Sequence, residues 1–169
     1  LVEGRRPVPP GVAHDSLLVA SRLLTQAGEA SEAIAVLRRA TARGLNSAEL
    51  YLALGEAYER ASEPQLALDA YRSAGHIAPG DATVQHRIGA ACRSLGQLDA
   101  ALVALREASV ARPRDLSILA DLGETLTAAG FPAEAVDVWS EIAQRRPDDG
   151  PTLVSLGSAQ RRNGDSAAG

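Results

Sequence analysis

Cys92, three histidines and the pair Asp148-Asp149 are the side chains whose types best suit chemistry. A cysteine becomes a nucleophile when a base stands beside it, and imidazoles at helical spacing can hold a metal ion. Neither arrangement is spelled out here. Cys92 falls in an apolar column with Leu24, Tyr58 and Leu126 and has no histidine spaced to activate it, so it reads as a buried structural thiol. His14, His76 and His86 fall at a helix start, at the end of another helix and on a helix face, with no H-E-x-x-H or C-x-x-C companion. Asp148 and Asp149 follow Pro147, where a loop and helix cap are expected rather than an acid–base pair. No glycine-rich phosphate loop and no G-x-S-x-G turn occurs. The expectation is a chain that is not an enzyme, with no catalytic, metal or cofactor site.

The elements that carry these residues recur. Gly55, Gly89, Gly123 and Gly157 stand 34 residues apart, each preceded by a large apolar residue (Leu54, Ile88, Leu122, Leu156). Alanine follows at Ala67, Ala101 and Ala135, then Tyr71, Leu105 and Trp139, with prolines at Pro79, Pro113 and Pro147. Many columns sharing one period mark a solenoid, whose usable surface is the face created by stacking. Each period reads as helix A, turn, helix B, turn: 15–27 and 31–43, 48–61 and 64–77, 82–95 and 98–111, 116–129 and 132–145, then 150–163. Gly28, Gly96, Gly130 and Gly164 stand at the A-to-B turns, where a left-handed residue is needed, and Ser62 in their place predicts a strained turn. Pro64 and Pro132 suit the first turn of helix B, and Asp81 and Asp115 can cap the helices after them. The helical glycines each cost about 0.5–1 kcal/mol relative to alanine, which predicts close approach of another backbone there. Leu37, Tyr71, Leu105 and Trp139 are expected to fill the space between successive periods, and Gly89→Leu to wedge helices apart.

The period and its residues closely resemble the tetratricopeptide repeat; the best-matched period reads Tyr51, Leu54-Gly55, Tyr58, Ala67, Tyr71, Ala74 and Pro79. The resemblance implies an all-α, right-handed α-α superhelix of about four and a half helix-turn-helix units: 14–47, 48–81, 82–115, 116–149 and a partial 150–169. The first unit departs most, with Ala20-Ser21 for leucine-glycine and Leu45 where proline should stand. Residues 1–13, with three prolines and two glycines, read as an extended arm, and helix should begin near Asp15 as N-cap.

Composition agrees and removes other classes. Hydrophobic residues make up 46% and aromatics 3%, which suits close-packed helices over sheet. The net charge of −4 comes from mixed signs without a basic, aromatic-interleaved stripe, so no nucleic acid is expected as partner. No apolar run is long enough to span a bilayer, so no membrane insertion is expected; the chain reads as soluble, placed in the cytoplasm ahead of the periplasm. All seventeen basic residues are arginine, which points to a GC-rich bacterial coding sequence. The absence of methionine, even at residue 1, suggests a piece of a longer protein.

What the resemblance implies about function is a protein-protein interaction scaffold that holds a peptide or helix of a partner in the concave face lined by the A helices. Projection of those helices places there Leu18, Val19 and Arg22; Leu52, Glu56 and Glu59; His86, Arg87 and Arg93; Asp121, Glu124 and Thr127; and Val154, Ser155, Ser158, Arg161 and Arg162. The charges band, acidic at the second and fourth units and basic at the third and fifth. These bands either pair with each other (Glu56 with Arg87 or Arg93, Asp121 with Arg87), or Arg87 and Arg93 receive acidic groups of a peptide while Leu18, Val19 and Leu52 take its apolar ones. With no lysine, the chain lacks the clamp with which chaperone-binding members of the family hold a C-terminal carboxylate, and no EEVD-type tail should bind. Leu153 and Leu156, without a following B helix, are expected to be covered by further chain or by self-association of a second copy. The alternatives are a non-catalytic arm of a glycosyltransferase- or sulfotransferase-like enzyme, or part of a bacterial envelope export or polysaccharide secretion complex.

Overall fold

In the computed structural model, residues 10–167 of the chain are described, with side chains over 15–164. Every element among them is an α-helix: α1 Pro10–Gln26, α2 Ala30–Ala42, α3 Ala48–Arg60, α4 Pro64–Ile77, α5 Ala82–Ser94, α6 Leu98–Ala111, α7 Leu116–Ala129, α8 Pro132–Arg145 and α9 Gly150–Ala167. The odd-numbered helices are the expected A helices and the even-numbered ones the B helices. Helices α1–α4, ending at Ile77, form one compact half, and α5–α9, from Ala78 onward, form another. No described helix is long and apolar enough to cross a membrane.

The period is explained by what each A helix offers its own B helix. An added Cβ at Gly55 would lie 2.3 Å from Tyr71 Cε1, at Gly89 2.5 Å from Leu105 Cγ, and at Gly123 2.7 Å from Trp139 Cε2. The glycine is therefore a socket for the large residue sixteen positions later. This corrects one expectation: a side chain, more than a backbone, occupies the space above the glycine. Leu105 and Trp139 also share a core with Leu119 and Ala159 of the repeats that follow them, as expected of residues between successive periods. Fully burying such a side chain contributes about 1.5–3 kcal/mol, more than the glycine costs. Around the sockets, Leu18, Leu37, Leu50 and Leu54 form the core of the N-terminal half, and Leu102, Leu122, Leu126 and Ile142 that of the C-terminal half.

The A-to-B turns close in one way. Glu29, Glu63, Gln97 and Phe131 each donate a backbone N–H to the carbonyl five residues back, at Leu24, Tyr58, Cys92 and Leu126, all at 2.9 Å. That closure needs a left-handed residue just before the donor. Glycine supplies it at Gly28, Gly96 and Gly130, and Ser62 is forced into it at φ 61°. Cys92 itself is fully buried in that column, as a structural thiol should be. The B-to-A turns end on side-chain caps. Asp81 accepts from the N–H groups of Thr83 and Val84, Asp115 from Ser117, Asp149 from Thr152, and Ser47 from Leu50. The hydrogen bonds from Ser117 hold the Asp115 carboxyl below its ordinary value, and those from Thr152 do the same for Asp149.

Two boundaries differ from expectation. Helix α1 begins at Pro10, not near Asp15, because a proline is tolerated at the first helical position, where its missing N–H has no partner to lose. The remainder of the expected arm, residues 1–9, lies outside the described residues. Gly164 does not turn the chain: it lies within α9 and is not among the positive-φ glycines. No B helix follows among the described residues to demand a reversal there.

Candidate functional site

In the C-terminal half the A helices α5, α7 and α9 succeed one another. Helical spacing puts His86 and Arg93 of α5 on the side that meets Asp121 and Glu124 of α7. His86 Nε2 lies 2.6 Å from one oxygen of Asp121, and Arg93 donates to the other at 2.7 Å. The second terminal nitrogen of Arg93 reaches Glu124 at 2.8 Å. Burial penalises the charged form of Asp121, but the hydrogen bond from His86 and the charge of Arg93 outweigh it and hold the carboxyl below its ordinary value. The four groups form a continuous polar network, and both oxygens of Asp121 are engaged.

Beside this network, α7 and α9 are parted by a cleft. Two adjoining cavities, of about 280 and 350 Å³, share Glu124, Trp139 and Ser155. Trp139 is only 4% exposed, so its edge forms the floor while its body fills the Gly123 socket. The smaller cavity adds Thr127, Ala128, Val154, Ser158 and Arg162; the larger adds Ala120, Ile142, Arg146 and Pro151 among others. Val154 is 70% exposed. At one end Arg162 of α9 donates to the Thr127 carbonyl of α7 at 3.1 Å, tying the walls together. Above Gly157 there is open space, an added Cβ meeting only Arg161 Nη1 at 4.0 Å.

Of the residues projected onto the A-helix face, His86, Arg93, Asp121 and Glu124 are thus brought together. Arg87 lies on α5 and is half-buried; Arg161 on α9 is exposed and donates to Ser158 Oγ at 3.2 Å. In the N-terminal half Val19, Arg22 and Glu59 are exposed, and Leu52 and Glu56 half-buried. Leu18 is the exception: it belongs to the core beside Leu37 and Leu54, so it is withdrawn from any ligand. Its side of α1 faces the packed helices, while Val19 and Leu23 point outward. For Trp139 the sequence favours core over a ligand platform, whereas here its edge also lines a cleft. Among the described residues no group of three or more His, Cys, Asp or Glu side chains could hold a metal ion.

The family model of the tetratricopeptide repeat matches residues 18–82. No curated protein matches the chain in sequence. Among solved structures, MamA protein superposes with a TM-score of 0.82 at 19% identity, covering 94% of this chain and 87% of that one. YrrB, described as a tetratricopeptide protein with an unusual peptide-binding site, gives 0.79 at 19% identity over 87% and 76% of the two chains. PilF of Pseudomonas aeruginosa gives 0.78 at 21% identity over 92% and 71%. The likeness to the tetratricopeptide repeat is thus one of sequence over residues 18–82 and one of fold elsewhere.

Proposed function

We propose that the chain is a protein-interaction scaffold that binds a segment of a partner polypeptide on its A-helix face, with the cleft between α7 and α9 taking an apolar side chain. The observation that carries this is the pair of adjoining cavities over Trp139. Their walls combine apolar contact (Trp139, Val154, Ala128) with hydroxyls (Thr127, Ser155, Ser158) able to meet a peptide backbone, the usual make-up of a side-chain pocket. The tetratricopeptide fold and the peptide-binding site ascribed to YrrB support it. Of the two parts open to Arg93, pairing within the chain is the one its contacts support. Asp121 and Glu124 already satisfy its terminal nitrogens, so an acidic ligand would have to displace two carboxylates to reach it. The network stiffens the α5–α7 wall, and the neighbouring cleft receives the partner.

Selection from a random peptide display library tests this. Peptides retained by the wild type are expected to carry a recurrent large apolar residue and to bind Ser155→Phe, which fills the space shared by both cavities, about tenfold or more weakly. Equal binding to Ser155→Phe would place the site elsewhere.

A further inference from the structure

We infer a second binding site, in the N-terminal half, for an acidic polypeptide segment that carries an aliphatic side chain; it does not rest on the function proposed above. A cavity of about 290 Å³ is lined by Leu17, Val36, Arg39, Ala40, Arg43 and Leu45. It is built chiefly by the B helix α2 and the loop after it. That volume is at the lower end of ligand pockets, roughly 300–1,000 Å³, which suits one or two side chains rather than a cofactor. Its floor is aliphatic. Leu45 stands where the later repeats have proline, at Pro79, Pro113 and Pro147, so this floor belongs to the first repeat only.

The rim sets the ligand's charge. Arg39, in the last turn of α2, and Arg43, its C-cap, are four residues apart and both line the cavity, where like charges repel. Neither forms an ion pair among the described residues, whereas Arg93, Arg106 and Arg145 each have a carboxylate partner. Among the described residues no acidic side chain lines the cavity. Two cations near a helix C-terminus are partly accounted for by the helix dipole, but the dipole gives no reason for an open aliphatic floor between them. A carboxylate beside a leucine-like side chain satisfies both features at once, since guanidinium groups bind carboxylates through two parallel hydrogen bonds. A phosphate backbone would leave the floor unfilled.

The test is calorimetric titration of the full chain with a synthetic peptide of alternating leucine and glutamate. Binding is expected to fall about tenfold or more when glutamine replaces the peptide's glutamates, and equally in Arg39→Gln/Arg43→Gln. Val36→Phe, which occupies the floor, should weaken it while leaving the rim charges in place. Arg112→Gln/Arg114→Gln, which removes two exposed cations elsewhere, should leave it unchanged. The inference is overturned if the glutamine peptide binds as well, if the Arg112/Arg114 variant loses as much as the Arg39/Arg43 variant, or if phosphatidylglycerol vesicles bind and the peptide does not.

Discussion

At the residue scale, one glycine does opposite things depending on what stands over it. Gly55 is the seat of Tyr71, and a methyl group there would sit 2.3 Å from the ring. Gly157 occupies the equivalent position in α9 with nothing closer than 4.0 Å. Gly55→Ala is therefore expected to lose about 1–3 kcal/mol through overpacking, and Gly157→Ala to gain about 0.5–1 kcal/mol by relieving helical glycine. Chemical denaturation of the two variants beside wild type checks both signs. Asp121 provides a second residue-scale test. Its folded carboxyl lies below the ordinary 3.8, so the unfolded chain takes up the proton first as pH falls. The stabilisation from the charged form is complete above the ordinary value and is lost as pH drops through the lower, folded one. Asp121→Asn should accordingly be less stable than wild type at neutral pH, with the gap closing as pH falls from the ordinary value through the lower, folded one. A gap independent of pH would mean that the His86 and Arg93 contacts contribute nothing through charge.

At the scale of the element, four turns that share one hydrogen bond differ in a single residue. Ser62 adopts the left-handed conformation that Gly28, Gly96 and Gly130 adopt freely. Left-handed backbone costs a residue with a Cβ roughly 1–2 kcal/mol, so Ser62→Gly should stabilise the α3–α4 hairpin by up to about 1 kcal/mol, and Gly96→Ser should destabilise α5–α6 by a similar amount. Amide hydrogen exchange across each turn reads the effect locally. This strain was legible in the sequence because the period names the position and serine is the odd member. Other boundaries were not. Pro10 opens α1 although a proline-rich run resembles a linker, since one proline at a first turn and several in an arm look alike residue by residue. Gly164 looked like the other turn glycines, yet it lies inside α9, and a lone glycine at a turn and one within a helix look alike residue by residue.

At the scale of the molecule, the repeat period specified the helices, the turns and the caps, because each is a local consequence of a residue type at a fixed spacing, and it marked the helical glycines without saying what fills the space above them. The site was legible only in part. Projection placed His86, Arg93, Asp121 and Glu124 on one face, but which charges would close on each other depends on side-chain reach between helices. It also admitted Leu18, which one step of helical rotation turns into the core. The cleft is a vacancy, and a vacancy between α7 and α9 has no residue of its own to announce it. Trp139 makes that vacancy measurable: it is the single tryptophan of the chain and lines both cavities. Titrating a display-selected peptide while following tryptophan emission should give a saturable shift in wild type that is lost, together with the binding, in Ser155→Phe. Peptide binding by calorimetry that leaves the emission of Trp139 unchanged would contradict a partner seated in the α7–α9 cleft.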